Sequence, residues 1–380
     1  MKANLDIASQ EERNLHLLAL ALTKGLGPVS VKNMIAYCGS AKAVLSAPKG
    51  KLLKAPGIGE YAVQLVQQAE TLARAEQEIR YCEQNGIQVL TYLDEDYPTS
   101  LKYIHDAPLM LFKKGNINLN AQVNIAMVGT RKATDYGREW TEKFAEAFAR
   151  QGINIVSGLA YGIDICAHRS VLKAEGKTTA VLAHGLDTIY PGKHSRRARE
   201  MQDRGALLTE YLTGTKPDAP HFPARNRIIS GICKAVIVME AANRGGALIT
   251  ARAAFDQNRE VYALPGRIGD PFSEGCNALI RDQVAKLVTS PEEVLADLEI
   301  QWQSHDDQQE QLALSLAPPE IPLSADESKI LNYLTQHSDA QVDDISLKTG
   351  IPMHQLNSLL LGMEFKDLIR QKAGKRFRLK

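Results

Sequence analysis

Between Gln122 and about Val288, short apolar β-rich runs alternate with helical stretches, and this alternation constrains the fold more than any other feature of the chain. Candidate strands are 123–128, 153–157, 178–182, 206–209, 235–239, 260–263 and 286–288. Residues 136–150, 164–175 and 247–257 carry apolar positions three and four apart, the spacing of amphipathic helices. Strands that are apolar throughout must be covered on both faces. The pattern therefore predicts an α/β fold, an extended Rossmann-like parallel sheet.

At about 150 residues per domain, 380 residues make two or three domains. A composition of 44% hydrophobic and 23% charged residues excludes fibres and wholesale disorder. The net charge of +1 averages unlike parts. No Lys or Arg occurs from Leu287 to Ser328, where ten acids do, and prolines 318, 319 and 322 follow a Gln/Asp-rich run. An acidic flexible linker over 301–322 is expected there. From Pro191 to Arg267, thirteen basic residues face seven acidic ones, an excess that attracts a polyanion.

The boundaries that result are 1–80, 81–300, 301–322 and 323–380. The first segment reads as helical, punctuated by Gly25-Leu26-Gly27-Pro28 and Pro56-Gly57-Ile58-Gly59. Glycine turns ahead of helices suit a helix-hairpin-helix (SAM-like) domain that grips a phosphate, or equally a turn used only for packing. The last segment has the order of a winged helix: helices at 327–336, 342–349 and 352–366, then a hairpin around Ala373-Gly374. Seven basic residues against Asp367 alone between Lys366 and Lys380 suit DNA contact, and protein docking stands as the alternative.

The five cysteines are widely spaced, without CxxC pairs or metal-ligand spacing, which suits a reduced cytoplasmic protein. The apolar run Leu15 to Leu22 follows Glu11 and Glu12 and contains His16, so neither a signal peptide nor a membrane span is expected.

In an open parallel sheet, ligands bind beyond the carboxyl ends of the strands. Those ends read Gly129-Thr130-Arg131, Ser157-Gly158 through Asp164, and Glu240 through Thr250 with the paired Gly245-Gly246. The dinucleotide fingerprint GxGxxG is absent from the first turn, and Arg131 puts a cation there instead. Gly246 opens a helix start to a phosphate, with Arg244 and Thr250 beside it. In His221-Phe222-Pro223-Ala224-Arg225-Asn226-Arg227, Pro220 and Pro223 predict an extended strip, with Phe222 for base stacking and two guanidiniums for phosphates. Burial of Phe222 in the core, or pairing of one Arg with Glu240, is the competing account. Glu240 reads as an acid or base, or as a partner of Arg225 or Arg227. His168 reads as a helix-packing residue. No nucleophile elbow, Walker lysine or metal spacing occurs.

These motifs, together with Tyr97-Pro98, Ala107 to Gly115, Gly185-Leu186-Asp187, Leu264-Pro265-Gly266 and Gly275 to Ile280, resemble the DprA/Smf family of DNA-processing proteins. The sequence departs from the family at Arg281 to Ala285, where a Gly-Ala is usual. The resemblance implies a cytoplasmic homodimer that binds single-stranded DNA and helps load the RecA recombinase during natural transformation. By that analogy DNA contacts fall on Arg131, Lys193, Phe222, Arg225 and Arg227, with the Gly158 and Gly246 turns shaping the groove. Asn226, Arg244 and Thr250 complete the candidate set, and no catalytic residue, cofactor or metal is assigned. The rival reading is a nucleoside-monophosphate hydrolase using Glu240 and the Gly245-Gly246 turn.

Overall fold

The structure, a computed structural model, describes residues 2–301, 324–337, 340–366, 368–372 and 376–379. The chain divides into two compact units, 1–303 and 304–380. All but the first residue of the expected linker, and the expected hairpin tip Ala373-Gly374, lie outside the described residues.

The first unit is built on a nine-stranded sheet. Its strands are β1 (Gln88–Thr91), β2 (Met110–Lys114), β3 (Asn124–Gly129), β4 (Asn154–Ser157), β5 (Thr178–Val181), β6 (Ala206–Thr209), β7 (Ala235–Glu240), β8 (Glu260–Ala263) and β9 (Lys286–Leu287). They lie in the order β1-β2-β6-β5-β4-β3-β7-β8-β9. From β6 to β9 every neighbouring pair is parallel. The seven expected strands are β3 to β9. The first two were not expected: β1 is short and half-exposed, and β2 ends in two lysines. They pair antiparallel with each other, and β2 pairs antiparallel with β6, so the sheet is mixed at that edge. Lys113 fits inside because its ammonium donates to the Ile117 carbonyl at 2.8 Å.

Alternation along the strands sends neighbouring residues to opposite faces. Ile125 and Met127 of β3 and Ile237 of β7 pack on one face with Phe144, Phe148, Ala167 and Val171. Ala126, Val128 and Val238 pack on the other with Ile228, Ile232, Ala247 and Ala251. Strands covered on both sides can be apolar throughout, which explains their runs.

Six helices precede the sheet: α1 (Lys2–Ala21), α2 (Pro28–Cys38), α3 (Ala41–Leu45), α4 (Lys49–Leu52), α5 (Glu60–Gln67) and α6 (Leu72–Gln84). The two glycine turns sit where expected, with Gly27 and Gly59 as N-caps of α2 and α5. This helical layer is not detached from the sheet. Its core includes Leu109, Met110 and Phe112, and buried Glu78 accepts hydrogen bonds from the Thr213 N–H at 2.8 Å and hydroxyl at 2.6 Å.

Around the sheet follow α7 (Thr99–Lys102), α8 (Asp135–Arg150), α9 (Ile163–Lys173), α10 (Ser195–Arg204), α11 (His221–Ile232), α12 (Gly246–Asp256), α13 (Glu274–Arg281) and α14 (Pro291–Asp297). The chain runs from β3 outward through β4, β5 and β6, then returns to the other side of β3 for β7, β8 and β9. That reversal opens a crevice beyond the carboxyl ends of β3 and β7.

The second unit has the expected winged-helix order: α15 (Ala325–Gln336), β10 (Ala340–Gln341), α16 (Val342–Thr349), α17 (Met353–Phe365), β11 (Ile369–Lys372) and β12 (Arg376–Leu379). Ser324 and Glu327 form a capping box at the start of α15, and Gly350 ends α16 in the left-handed region at φ 71°. Ile330, Ile345, Leu356, Leu360 and Phe377 make its core.

His168 of α9 is fully buried, as a packing residue should be. The Thr178 hydroxyl donates to the Ile155 carbonyl at 2.8 Å, so its oxygen accepts from His168 Nδ1 at 2.7 Å. Nε2 is buried without a hydrogen-bond partner. Burial, aided by the charges of His194 and Arg225, pushes the imidazole down to about 3. The folded state therefore excludes a proton that the unfolded chain takes up below about 6.5. Stability contributed by neutral His168 is complete above that pH and is lost at about 1.4 kcal/mol per unit on acidification. Urea titrations between pH 7 and 5 are expected to show a smaller loss in His168→Gln than in the parent, and parallel losses would refute the assignment.

Candidate nucleic-acid interface

The crevice is a cavity of about 750 Å³. The loops after β3 and β7 and the first turns of α11 and α12 wall it, with Arg131, Lys132, Phe222, Arg225, Arg244 and Gly246 among its lining residues. Two glycines allow the walls to meet. Gly162 lies at φ 76°, where a side chain would strike the Thr130 carbonyl, and a Cβ at Gly158 would strike the Arg225 guanidinium.

The segment from His221 to Arg227 is not the extended strip the prolines suggested. It forms the first two turns of α11, with Pro220 as N-cap and Pro223 in the first turn. Backbone N–H groups there have no intrahelical acceptor, so a proline costs no hydrogen bond. Helical geometry then sends Arg225 and Arg227 to different surroundings.

Arg225 is only 4% exposed. Its guanidinium donates to the carbonyls of Gly158, at 3.0 Å, and Val181, while Nε donates to Asn226 Oδ1 at 3.2 Å. Burial lowers it to about 10, opposed by the charge of Asp164. Burial raises the Asp164 carboxyl, opposed by Arg225 and by the Gly158 and Ala160 N–H groups at 3.1 and 3.3 Å. Arg225, expected as a phosphate contact, is a buried strut that ties Gly158, Val181 and Asn226 together in the cavity wall.

Arg227 is outside the cavity lining. It pairs with Asp106 at 3.1 Å and Glu210 at 2.6 Å, so its charge is already neutralised. Lys193 is exposed on a short 3-10 turn, also outside the lining. Asn226 and Thr250 both donate to the Gly246 carbonyl, at 3.3 and 3.1 Å, and so hold the turn that starts α12. Glu240 meets neither arginine. Buried to 3% exposure, it accepts from the Thr134 N–H at 2.9 Å and hydroxyl at 2.5 Å. Thr134 is the N-cap of α8, where a carboxylate complements the helix dipole. Each carboxylate oxygen accepts one hydrogen bond from Thr134, and Glu240 is not among the residues that line the cavity.

The rim has a different character. Arg131, Lys132 and Arg244 are exposed, and no ion pair engages them among the described residues. The Arg131 guanidinium lies 5.3 Å from the centroid of the Phe222 ring, and Tyr190 lies 6.2 Å from that ring. Phe222 is half-buried at the mouth rather than lost in the core. Lys132 and Tyr190 were missing from the expected set, although Lys132 directly follows Arg131 and Tyr190 ends the Gly185 loop. At the far wall the first N–H groups of α12 open at Gly245-Gly246. Cations, open N–H groups and aromatic faces around one crevice can hold phosphates and bases together. Among the described residues no group of three or more His, Cys, Asp or Glu could hold a metal, and no helix is long and apolar enough to cross a membrane.

Residues 88–299 match the family model of the DNA recombination-mediator protein A, and residues 315–375 match that of the DprA winged helix domain. The chain belongs to the DprA/Smf family of DNA-processing proteins. It is 38% identical to protein Smf of Escherichia coli over 80% of this chain and 81% of that one. It is 45% identical to the DNA processing protein DprA of Streptococcus pneumoniae over 54% of this chain and 73% of that one. The X-ray structure of DprA from Streptococcus pneumoniae superposes with a TM-score of 0.65 at 35% identity, covering 77% of this chain and 99% of that one. DNA processing protein A from Helicobacter pylori, whose structure concerns its single-stranded DNA binding mode, superposes with a TM-score of 0.51 at 28% identity, covering 56% and 95%.

The strut and the rim should separate by mutation. Arg225→Ala leaves Asp164 buried without its cation, a loss of about 3–5 kcal/mol. Arg131→Ala, at an exposed site, should stay within about 0.5 kcal/mol of the parent. Denaturant midpoints of the two variants give the comparison, and equal midpoints would contradict the distinction.

Proposed function

We propose that this chain binds single-stranded DNA in the cavity beyond β3 and β7, as a recombination mediator and not as an enzyme. Arg131, Lys132, Arg244 and the N–H groups at the start of α12 take phosphates, and Phe222 and Tyr190 stack on bases. The observation that carries the reading is the contact of the Arg131 guanidinium with the Phe222 ring at the mouth of the cavity. It sets a phosphate-binding cation beside a flat apolar face, the pairing that sequence-independent single-strand binding requires. The single-stranded DNA binding mode of the Helicobacter pylori relative supports the same reading. Family membership is the support for the remaining parts: a cytoplasmic homodimer that delivers its strand to RecA during natural transformation. The engagement of both Glu240 oxygens by Thr134 weighs against nucleotide hydrolysis.

Gel shifts of the full chain are expected to favour single-stranded over duplex oligonucleotides, with affinity falling steeply as salt rises. Arg131→Ala and Arg244→Ala should each flatten the salt slope by about 0.7, and Phe222→Ala should weaken every sequence alike by about 1–3 kcal/mol. Unchanged slopes in both arginine variants would move the site elsewhere. Release of free base from a nucleotide panel would reinstate hydrolysis.

A further inference from the structure

The turn between β4 and α9 combines a strained backbone with an exposed ring, neither of which the cavity wall requires. Leu159 is fully buried yet stands at φ 57°, in the left-handed region that residues with a side chain seldom enter. Gly162 follows at φ 76°, so close to the Arg131 backbone that no Cβ would fit. Hydrogen bonds hold the turn in this shape: Asp164 accepts from the Gly158 and Ala160 N–H groups, and the Ile163 N–H donates to the Thr130 carbonyl at 3.2 Å. Strain of this kind persists only where the surroundings impose it, and it clusters at binding sites.

What the turn places is Tyr161. Ala160 and Asp164 line the cavity, while Tyr161 stands outside the lining with 43% of its surface exposed. Its ring meets the His194 ring edge-on, with 5.0 Å between centroids and 71° between planes. His194 is buried and fixed, its Nδ1 donating to the Leu159 carbonyl at 2.8 Å. The Tyr161 hydroxyl has no hydrogen-bond partner among the described residues. A tyrosine that serves packing alone is buried and finds a partner for its hydroxyl, whereas this one shows its ring to solvent from a rigid mount.

Arg131 therefore adjoins two aromatic sites. Its guanidinium sits 5.3 Å from the Phe222 ring centroid, and its backbone packs against the Tyr161-Gly162 turn. A single strand alternates base and phosphate, so a cation with a ring site on either side of it along the chain path matches base, phosphate, base. We infer, on the cavity reading above, that Tyr161 is a further stacking site, which carries the single strand out of the cavity past Arg131 and over the end of β4. Its ligand is the base of a nucleotide adjoining those held at Phe222, taken by its flat face and so without regard to sequence.

The test uses the full chain and two ligands, an oligothymidylate and a strand of the same length made of abasic nucleotides. Tyr161→Ala should weaken oligothymidylate binding about 5- to 150-fold. The salt slope should stay unchanged, because no phosphate contact is lost. On the abasic strand the variant should bind as the parent does. Tyr161→Trp should retain the affinity, while Tyr161→Leu, which can pack against His194 but offers no ring, should not; this pair decides the matter if Tyr161→Ala fails to fold. An equal loss on the abasic strand would overturn the inference and make Tyr161 a structural part of the turn, as would full affinity in Tyr161→Leu. Phe222→Ala and Arg131→Ala, measured alongside, separate the two readings. Losses there with none in Tyr161→Ala would overturn this inference alone, and no loss in any of the three would remove the cavity site as well.

Discussion

The platform around the cavity depends on one buried guanidinium. Arg225 reaches the Gly158 carbonyl just after β4, the carbonyl of Val181 at the end of β5, and Asn226, which in turn holds the Gly246 carbonyl at the start of α12. Asp164 opposes it and ties down the Gly158 and Ala160 N–H groups. Isolated in an apolar core, such a charge would be expensive. Here, carbonyls, an amide and a carboxylate surround it, and the geometry of four segments follows. The glycine at position 158 is part of the same constraint, since the guanidinium fills the space a Cβ would need.

Glu240 repeats the device on the other side of the switch point. Its carboxylate joins the end of β7 to the N-cap of α8, as Arg225 joins β4 and β5 to α12. The charged groups inside the cavity floor thus act on the protein, whereas Arg131, Lys132 and Arg244 at its rim have no ion pair among the described residues. On the proposed reading, a mouth fixed in this way would need little reorganisation to take a strand, so ordering costs would weigh less against affinity.

The strands β3 to β9 were legible because burial on both faces leaves apolar runs that little else produces. The glycine-bearing strand ends were legible for a related reason, since a parallel sheet puts its ligand crevice at those ends. β1 and β2 were not, because a four-residue strand with two exposed or half-exposed positions and a strand ending in lysines lack a period. The segment around Phe222 misled because proline speaks for extended backbone and for the first turn of a helix alike, and only the following Ile228 and Ile232 reveal the helical face. Arg225, Arg227 and Glu240 were found as important positions, but their partners were not legible. Asp106, Glu210 and Thr134 lie far from them in sequence, and only the fold brings them within reach.

Sorting the cations by partner also changes what the charge excess means. Of the thirteen basic residues between Pro191 and Arg267, Arg196 and Arg197 pair with Glu200, Arg204 with Glu175, and Arg227 with Asp106 and Glu210, while Arg225 is buried. The cavity rim therefore rests on few unpaired charges, Arg244 from that stretch with Arg131 and Lys132 from the β3 loop. Three phosphate contacts correspond to a salt slope of about −2 on a single strand, far from the clamp that an excess of six charges suggested. On the proposed reading, a site of that strength would let a strand be taken up and then released, with stacking on Phe222 and Tyr190 supplying the part of the affinity that salt does not remove.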